Sequence, residues 1–239
     1  MTLTDPYPAP DATAQTREHE LRGAQDNARA LFERIDAEGL VRPGVDEVQL
    51  SNEIKSLAAD QLGVTRYWHK RVVRAGRNTL HPYDDNPPVR VIEEDDIVFL
   101  DLGPIFAEWE ADFGRTFVLG DDPLKLKIKA DIEEGWHACK AFFDATPECT
   151  GAQLYAFAVE QATSRGWQFG GSIAGHLLGE FPHEKLDDDE IESYVLPAND
   201  TVLRSIDPYG RPRHWICEIH FVDREREIGG FFEQLLTID

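Results

Sequence analysis

Apolar positions along this chain fall into two rhythms. From Arg17 to Gly39, Leu21, Ala24, Ala28, Leu31 and Ile35 recur at three- and four-residue steps, the spacing of one buried helix face. A second helix is predicted from Asp46 to Leu62, with Val48, Ile54, Leu57 and Ala58 inside. Gly39 and Gly63 are its neighbouring stops, and Pro43-Gly44 marks the turn between the helices. Val72-Val73 reads as a short strand before a loop, Gly76 to Pro88, rich in Asn, Asp and Pro. The rhythm changes at Ile97-Val98-Phe99-Leu100-Asp101, a compact apolar run ending on a carboxylate. Asp112 to Leu119 is predicted as its hairpin partner across Gly103-Pro104. Helical spacing returns over Leu124–Asp144, where Ile128, Ile132, Trp136, Cys139 and Phe143 form one stripe, and over Ala152–Arg165. After Gly166 the chain is strand and loop, with a second hairpin expected between Val202–Asp207 and His214–Val222 around Pro208-Tyr209-Gly210.

Residues 1–16, polar and proline-bearing, are expected to form a flexible arm, and 17–239 a single domain. The order helix, helix, strands, hairpin occurs twice, so two pseudo-symmetric halves near 17–122 and 123–239 are inferred. Each hairpin carries two acids eleven residues apart, Asp101 with Asp112 and Asp207 with Glu218.

Composition narrows the functional classes. With 24 basic against 45 acidic side chains the net charge is −21, which disfavours nucleic acid as a partner. No apolar run reaches the roughly 18–20 residues of a membrane span, and Met1–Thr16 lacks the features of a secretory signal. Three widely spaced cysteines, Cys139, Cys149 and Cys217, fit reduced thiols, so a cytoplasmic location is expected.

A lone Asp at a strand end is usually a turn-former. Here, however, Asp101 follows Ile-Val-Phe-Leu, Asp112 opens the paired strand, Asp207 ends Val-Leu-Arg-Ser-Ile, and Glu218 interrupts Trp215-Ile216-Cys217 and Ile219. An isolated buried carboxylate costs several kcal/mol unless it is neutralised or finds a cation. Only Arg115, Arg204 and a few neighbours could supply positive charge from side chains, and strand alternation points Arg115 away from Asp112. Bound divalent ions would therefore satisfy the four acids. His176, between Gly175 and Gly179 in Gly-His-Leu-Leu-Gly, adds an imidazole on a stretch whose glycines permit close approach.

The set Asp101, Asp112, His176, Asp207 and Glu218, with a second histidine at His183, resembles the dinuclear site of the pita-bread metallopeptidases. Methionine aminopeptidase, Xaa-Pro aminopeptidase, prolidase and creatinase belong to this group. The resemblance covers roughly 17–239, including Val41-Arg42-Pro43-Gly44-Val45-Asp46-Glu47. It implies an α+β pita-bread fold, two α/β halves around a curved antiparallel sheet. It also implies two divalent ions (Mn, Fe or Co, with Zn as an option) held by those five residues, Asp112 and Glu218 bridging. A metal-bridging hydroxide would then attack the N-terminal amide of a peptide or dipeptide. Within the resemblance Asp207 doubles as the general base, His183 contacts the scissile amide, and His81 in Leu80-His81-Pro82 is the other substrate histidine. Thr116 is a candidate hydrogen-bond donor behind Asp112, whereas His19, His69, His137 and His214 are expected to be structural or surface residues.

Two departures bear on the substrate. The family places Glu where Asp207 stands, and losing one methylene retracts the carboxylate by about 1.5 Å. Ile216 occupies a position where the Xaa-Pro and creatinase branch, nearest by the span from Asp207 to Glu218, often has arginine. The separate N-terminal domain common in that branch is not expected within these 239 residues. The alternatives are a pita-bread protein that binds a peptide or protein partner without turnover, and a creatinase-like C–N hydrolase of a small non-peptide substrate. Trp109 and Phe231-Phe232 are candidates either for a homodimer contact or for the core.

Overall fold

The computed structural model describes residues 10–182, 191–207 and 210–238, with side chains from residue 15 onward. In chain order the elements are helices α1 (Pro10–Ala37) and α2 (Glu47–Leu62), then strands β1 (Val72–Ala75), β2 (Ile97–Leu102), β3 (Ile105–Phe106), β4 (Trp109–Glu110) and β5 (Phe113–Val118). The second half contributes α3 (Pro123–Ala145), α4 (Gly151–Ser164), β6 (Gln168–Phe169), β7 (Ile216–Asp223) and β8 (Ile228–Leu235). Six strands form one antiparallel sheet in the order β1-β2-β5-β8-β7-β6, while β3 and β4 pair as a small separate ribbon.

Local chemistry sets the helix ends. The Asp46 carboxylate accepts from Gln49 N at 2.7 Å to cap α2, and Gly63 closes it in the left-handed conformation at φ 68°. Thr150 and Gln153 make a reciprocal capping box on α4. The expected stripe of α3 is buried throughout, from Ile128 at 0% exposure to Phe143 at 1%. Two expectations shift: α1 begins at Pro10 rather than Arg17, and Val48 is 52% exposed while Leu50 takes the inward position on α2.

Alternation along the strands separates two faces. Val98 and Leu100 of β2 pack with Phe113 against Leu31, Phe32, Ile35, Leu50 and Ile54 of α1 and α2. Cys217, Ile219 and Phe221 of β7, with Phe232 of β8, pack against Ile132, Trp136 and Leu154 of α3 and α4. Each half thus buries a helix pair on one face of its three strands, and the halves join where Gly114 of β5 pairs with Glu233 of β8. Phe231 and Phe232 are 7% and 4% exposed, so they belong to the interior and not to a dimer surface.

The second hairpin is not the expected one. Val202 and Ile206 make only isolated bridges, and β7 pairs instead with the following strand, β8, in register from Ile216↔Leu235 to Asp223↔Ile228. The first hairpin forms as expected, with Asp101 opposite Gly114.

One buried carboxylate is structural. Glu47 accepts from Ala75 N at 2.8 Å, from Asn78 Nδ2 at 3.0 Å on both oxygens, and from Arg90 N at 3.1 Å. It ties the start of α2 to β1 and to the segment before β2. Glu47→Ala should strand these buried donors and cost about 3 kcal/mol, roughly 6–12 °C in Tm. A loss under about 1 kcal/mol in thermal or denaturant unfolding would contradict this role.

Candidate metal centre

The sheet register writes a row of acids across the face opposite the helices. Val72 pairs with Asp101, Asp101 with Gly114, Gly114 with Glu233, and Glu233 with Glu218. Three carboxylates on β2, β8 and β7 therefore stand side by side, with glycine at the central strand. A methyl group at Gly114 would meet Phe231 at 2.5 Å and Glu233 Cβ at 3.1 Å, so only glycine leaves room there. Asp112, two residues before Gly114, brings a fourth carboxylate over the row.

Histidines close the arrangement. His176 Nε2 lies 3.1 Å from Asp112 Oδ2, and His69 Nε2 lies 3.2 Å from Asp112 Oδ1 and 3.5 Å from Asp101 Oδ1. Gly175, at φ 142°, is required next to His176 because a Cβ would sit 2.2 Å from Ile216 O. The donor atoms of His69, Asp101 and Asp112 form one compact triad, and those of Asp112, His176 and Glu233 form another.

Electrostatics in the metal-free site are those of crowded acids. Burial and the neighbouring Asp112 push Asp101 up to about 7, against the pull of His69. Glu218 is driven up to about 8 by burial and by Asp101 and Asp112, and Glu233 is raised by burial and by Asp112, Asp101 and Glu218. Asp112 is the exception: burial would raise it, but the His69 and His176 imidazoles outweigh that and hold it ionised. Burial opposes charging of His69, yet Asp112 and Asp101 lift it to about 9. The two arginines considered from sequence are engaged elsewhere. Arg115 donates to Gly114 O and Glu233 O between the rings of Phe113 and Phe232, and Arg204 donates to Phe143 O. Glu233 Oε2 is buried with no hydrogen-bond partner among the described residues. Carboxylates and imidazoles with an unsatisfied buried oxygen are a donor set that suits a divalent metal ion.

The cluster opens into a cavity of 690 Å³ whose lining includes Trp68, Tyr83, Phe99, Tyr194 and Phe231. Phe99 and Phe231 lie with ring centroids 5.2 Å apart and planes tilted by 31°, and His220 lies edge-on to both. Its Nε2–H donates to Thr79 O at 2.7 Å, and burial lowers its pKa to about 4, so it is a neutral wall residue.

Of the residues singled out from sequence, Asp101, Asp112, His176 and Glu218 are brought together. Asp207 is not. It accepts from Arg211 N at 2.9 Å and Arg211 Nε at 2.6 Å on a loop outside the cavity lining, because its segment never joins the sheet. His81 is also elsewhere. It pairs with Asp85 at 2.8 Å beside a separate hollow, while the adjacent Pro82, Tyr83 and Asp84 line the cavity. His183 lies outside the described residues. Thr116 bonds Phe231 N and O at 2.8 Å, so it fixes β5 to β8 and not Asp112. Glu233 and His69 were not anticipated. Glu233 carried the signal that identified Glu218, a carboxylate inside an apolar strand, whereas His69 in Trp-His-Lys-Arg carried none.

Acids and imidazoles gathered on one face of a sheet, with paired helices covering the other, define a protein of the pita-bread fold with a candidate metal centre. Residues 19–207 match the profile of metallopeptidase family M24, and the chain belongs to that family. Glu218 and Glu233 lie beyond the matched segment. Among solved structures, the chain is similar to a prolidase from Thermococcus sibiricus at 20% identity and TM-score 0.73, covering 96% of this chain and 57% of that one. An Xaa-Pro dipeptidase from Bacillus anthracis matches at 24% identity and TM-score 0.70, covering 96% and 59%. A methionine aminopeptidase from Rickettsia prowazekii matches at 15% identity and TM-score 0.67, covering 90% of each chain. No curated protein matches the chain. Among the described residues no helix is long and apolar enough to cross a membrane.

Proposed function

We propose that this chain is a metal-dependent hydrolase that cleaves the amide bond at the N-terminus of a peptide or dipeptide. In this reading Asp101, Asp112, His176, Glu218 and Glu233 hold two divalent ions, with Glu233 in the place first given to Asp207. The observation that carries the reading is the register row Asp101–Gly114–Glu233–Glu218 with Asp112 and His176 over it, facing a cavity. Family membership and the prolidase-type neighbours support the same chemistry.

Bound there, the ions would acidify a water molecule and polarise the amide carbonyl. The chain's own groups do the remainder. Asp101, Asp112 and Glu233 are buried, whereas Glu218 is partly open to the cavity. Glu218 is thus the carboxylate that takes the proton of the attacking water and hands it to the leaving nitrogen. The Phe99 and Phe231 rings give the cavity an apolar wall against which a proline ring or an aliphatic side chain can pack beside the scissile bond. His183, seven residues after His176, keeps its role as donor to the scissile amide.

Incubating protein loaded with Mn²⁺, Fe²⁺ or Co²⁺ with Xaa-Pro and Met-Xaa dipeptides should reveal hydrolysis of at least one class. Metal-loaded protein that cleaves none of them would remove this reading. The assignment of the fourth and fifth ligands has its own check. Asp207→Asn should leave metal content unchanged, whereas Glu233→Gln should lower it. The opposite pattern by elemental analysis would restore Asp207.

A further inference from the structure

We infer that His69 is a sixth protein ligand of the metal centre, serving the ion beside Asp101, so that each of the two cations receives one imidazole. This rests on the dinuclear reading above and extends it to a residue outside the five-ligand set.

The two histidines are held in the same way. Each Nδ1 lies against the carbonyl of the next residue, Lys70 O at 2.6 Å for His69 and Leu177 O at 2.8 Å for His176. A carbonyl can only accept, so in each neutral ring the proton sits on Nδ1 and the Nε2 lone pair points outward. Those lone pairs address opposite oxygens of Asp112, Oδ1 for His69 and Oδ2 for His176. With the ring neutral, that lone pair faces the carboxylate favourably only across a cation; without metal, a proton on Nε2 takes the same place. The donor separations of 3.2 and 3.5 Å for His69 suit cis ligands on one ion, which lie about 3 Å apart at bond lengths near 2.1 Å. The resulting triads, His69 with Asp101 and Asp112, and His176 with Asp112 and Glu233, share only Asp112.

The surroundings are shaped for this ring. A Cβ at Gly103 would lie 2.1 Å from His69 Cδ2 and 2.3 Å from its Nε2, so the imidazole occupies space that only glycine leaves. Trp68, anchored by its indole N–H to Ala111 O at 3.0 Å, sets its ring edge-on to His69 at 4.4 Å and to His176 at 5.3 Å. One aromatic clamp therefore orients both imidazoles, as outer-shell groups do for metal ligands.

Metal equivalents, titrated affinity and the Co²⁺ d–d spectrum would be measured on the whole chain, with circular dichroism to confirm folding. Wild type should bind two ions. His69→Asn keeps the bond to Lys70 O but removes the Nε2 donor; it should lose the second equivalent or weaken it at least about 100-fold and alter the Co²⁺ spectrum. His69→Gln, which returns an oxygen near the Nε2 position, should recover part of that affinity. Gly103→Ala, which displaces the ring without changing it, should mimic His69→Asn. Two undiminished equivalents with an unchanged spectrum in His69→Asn would overturn the inference and leave the dinuclear reading standing. A wild-type protein that binds a single ion would overturn both, as would one that binds none.

Discussion

Asp112→Asn is expected to abolish hydrolysis, lowering kcat/KM by at least about a thousandfold, roughly 4 kcal/mol of barrier. It should also release both ions, because Asp112 is the one side chain common to the two triads and offers a different oxygen to each. An amide retains the shape but keeps a single acceptor, so one imidazole lone pair would face an NH₂ group. The fold should survive. Asp112 is not part of either helix-backed core, and removing its charge relieves Asp101, Glu218 and Glu233. Elemental analysis and thermal melting of the chelated protein separate the two effects. A variant that retains both ions while losing turnover would mean that Asp112 acts in the reaction and not in assembling the centre.

The features legible in the sequence were those written in local pattern. The α3 stripe, the Asp101–Asp112 hairpin, the glycine beside His176 and the misfit Glu218 all follow from spacing or from one polar residue among apolar ones. The last hairpin was misplaced because its true turn, Arg224-Glu225-Arg226-Glu227, carries none of the glycine, proline or asparagine that marks a tight turn. Pro208-Tyr209-Gly210 carries two of those residues, so local pattern places the hairpin one segment too early. The turn is held instead by Asp223, whose carboxylate accepts from Glu225 N and Arg226 N, a contact that composition does not advertise. His69 was hidden for a different reason. Flanked by Lys70 and Arg71, it looks like part of a solvated surface, and its partners lie at positions 101 and 112 in the folded chain. Glu47 resembled an ordinary first-turn acid until β1 and the segment before β2 brought three buried donors to it.

Stripping the ions should destabilise the protein, and more so at high pH than at low. In the metal-free site Asp101 is pushed up to about 7 and Glu218 to about 8, and Glu233 is raised as well, against about 4 when unfolded. Groups raised in this way contribute stability that is complete below about pH 4 and is lost as pH climbs through 7 and 8. His69, lifted to about 9, acts in the same direction between about 6.5 and 9. Asp112 is depressed, so its contribution is lost only in acid, outside this window. His176 is raised as well, while the Arg74 guanidinium, charged throughout, draws Asp101 downward. Each carboxylate that is protonated when folded and ionised when unfolded costs about 1.4 kcal/mol per pH unit. Cations replace those protons, and their affinity rises with pH because they need the ionised ligands. The gain in Tm on adding Mn²⁺ to chelated protein should therefore be roughly 5–10 °C at pH 8.5 and clearly smaller at pH 5.5. An equal or larger gain at the acid end would show that the row of acids is not where the ions bind.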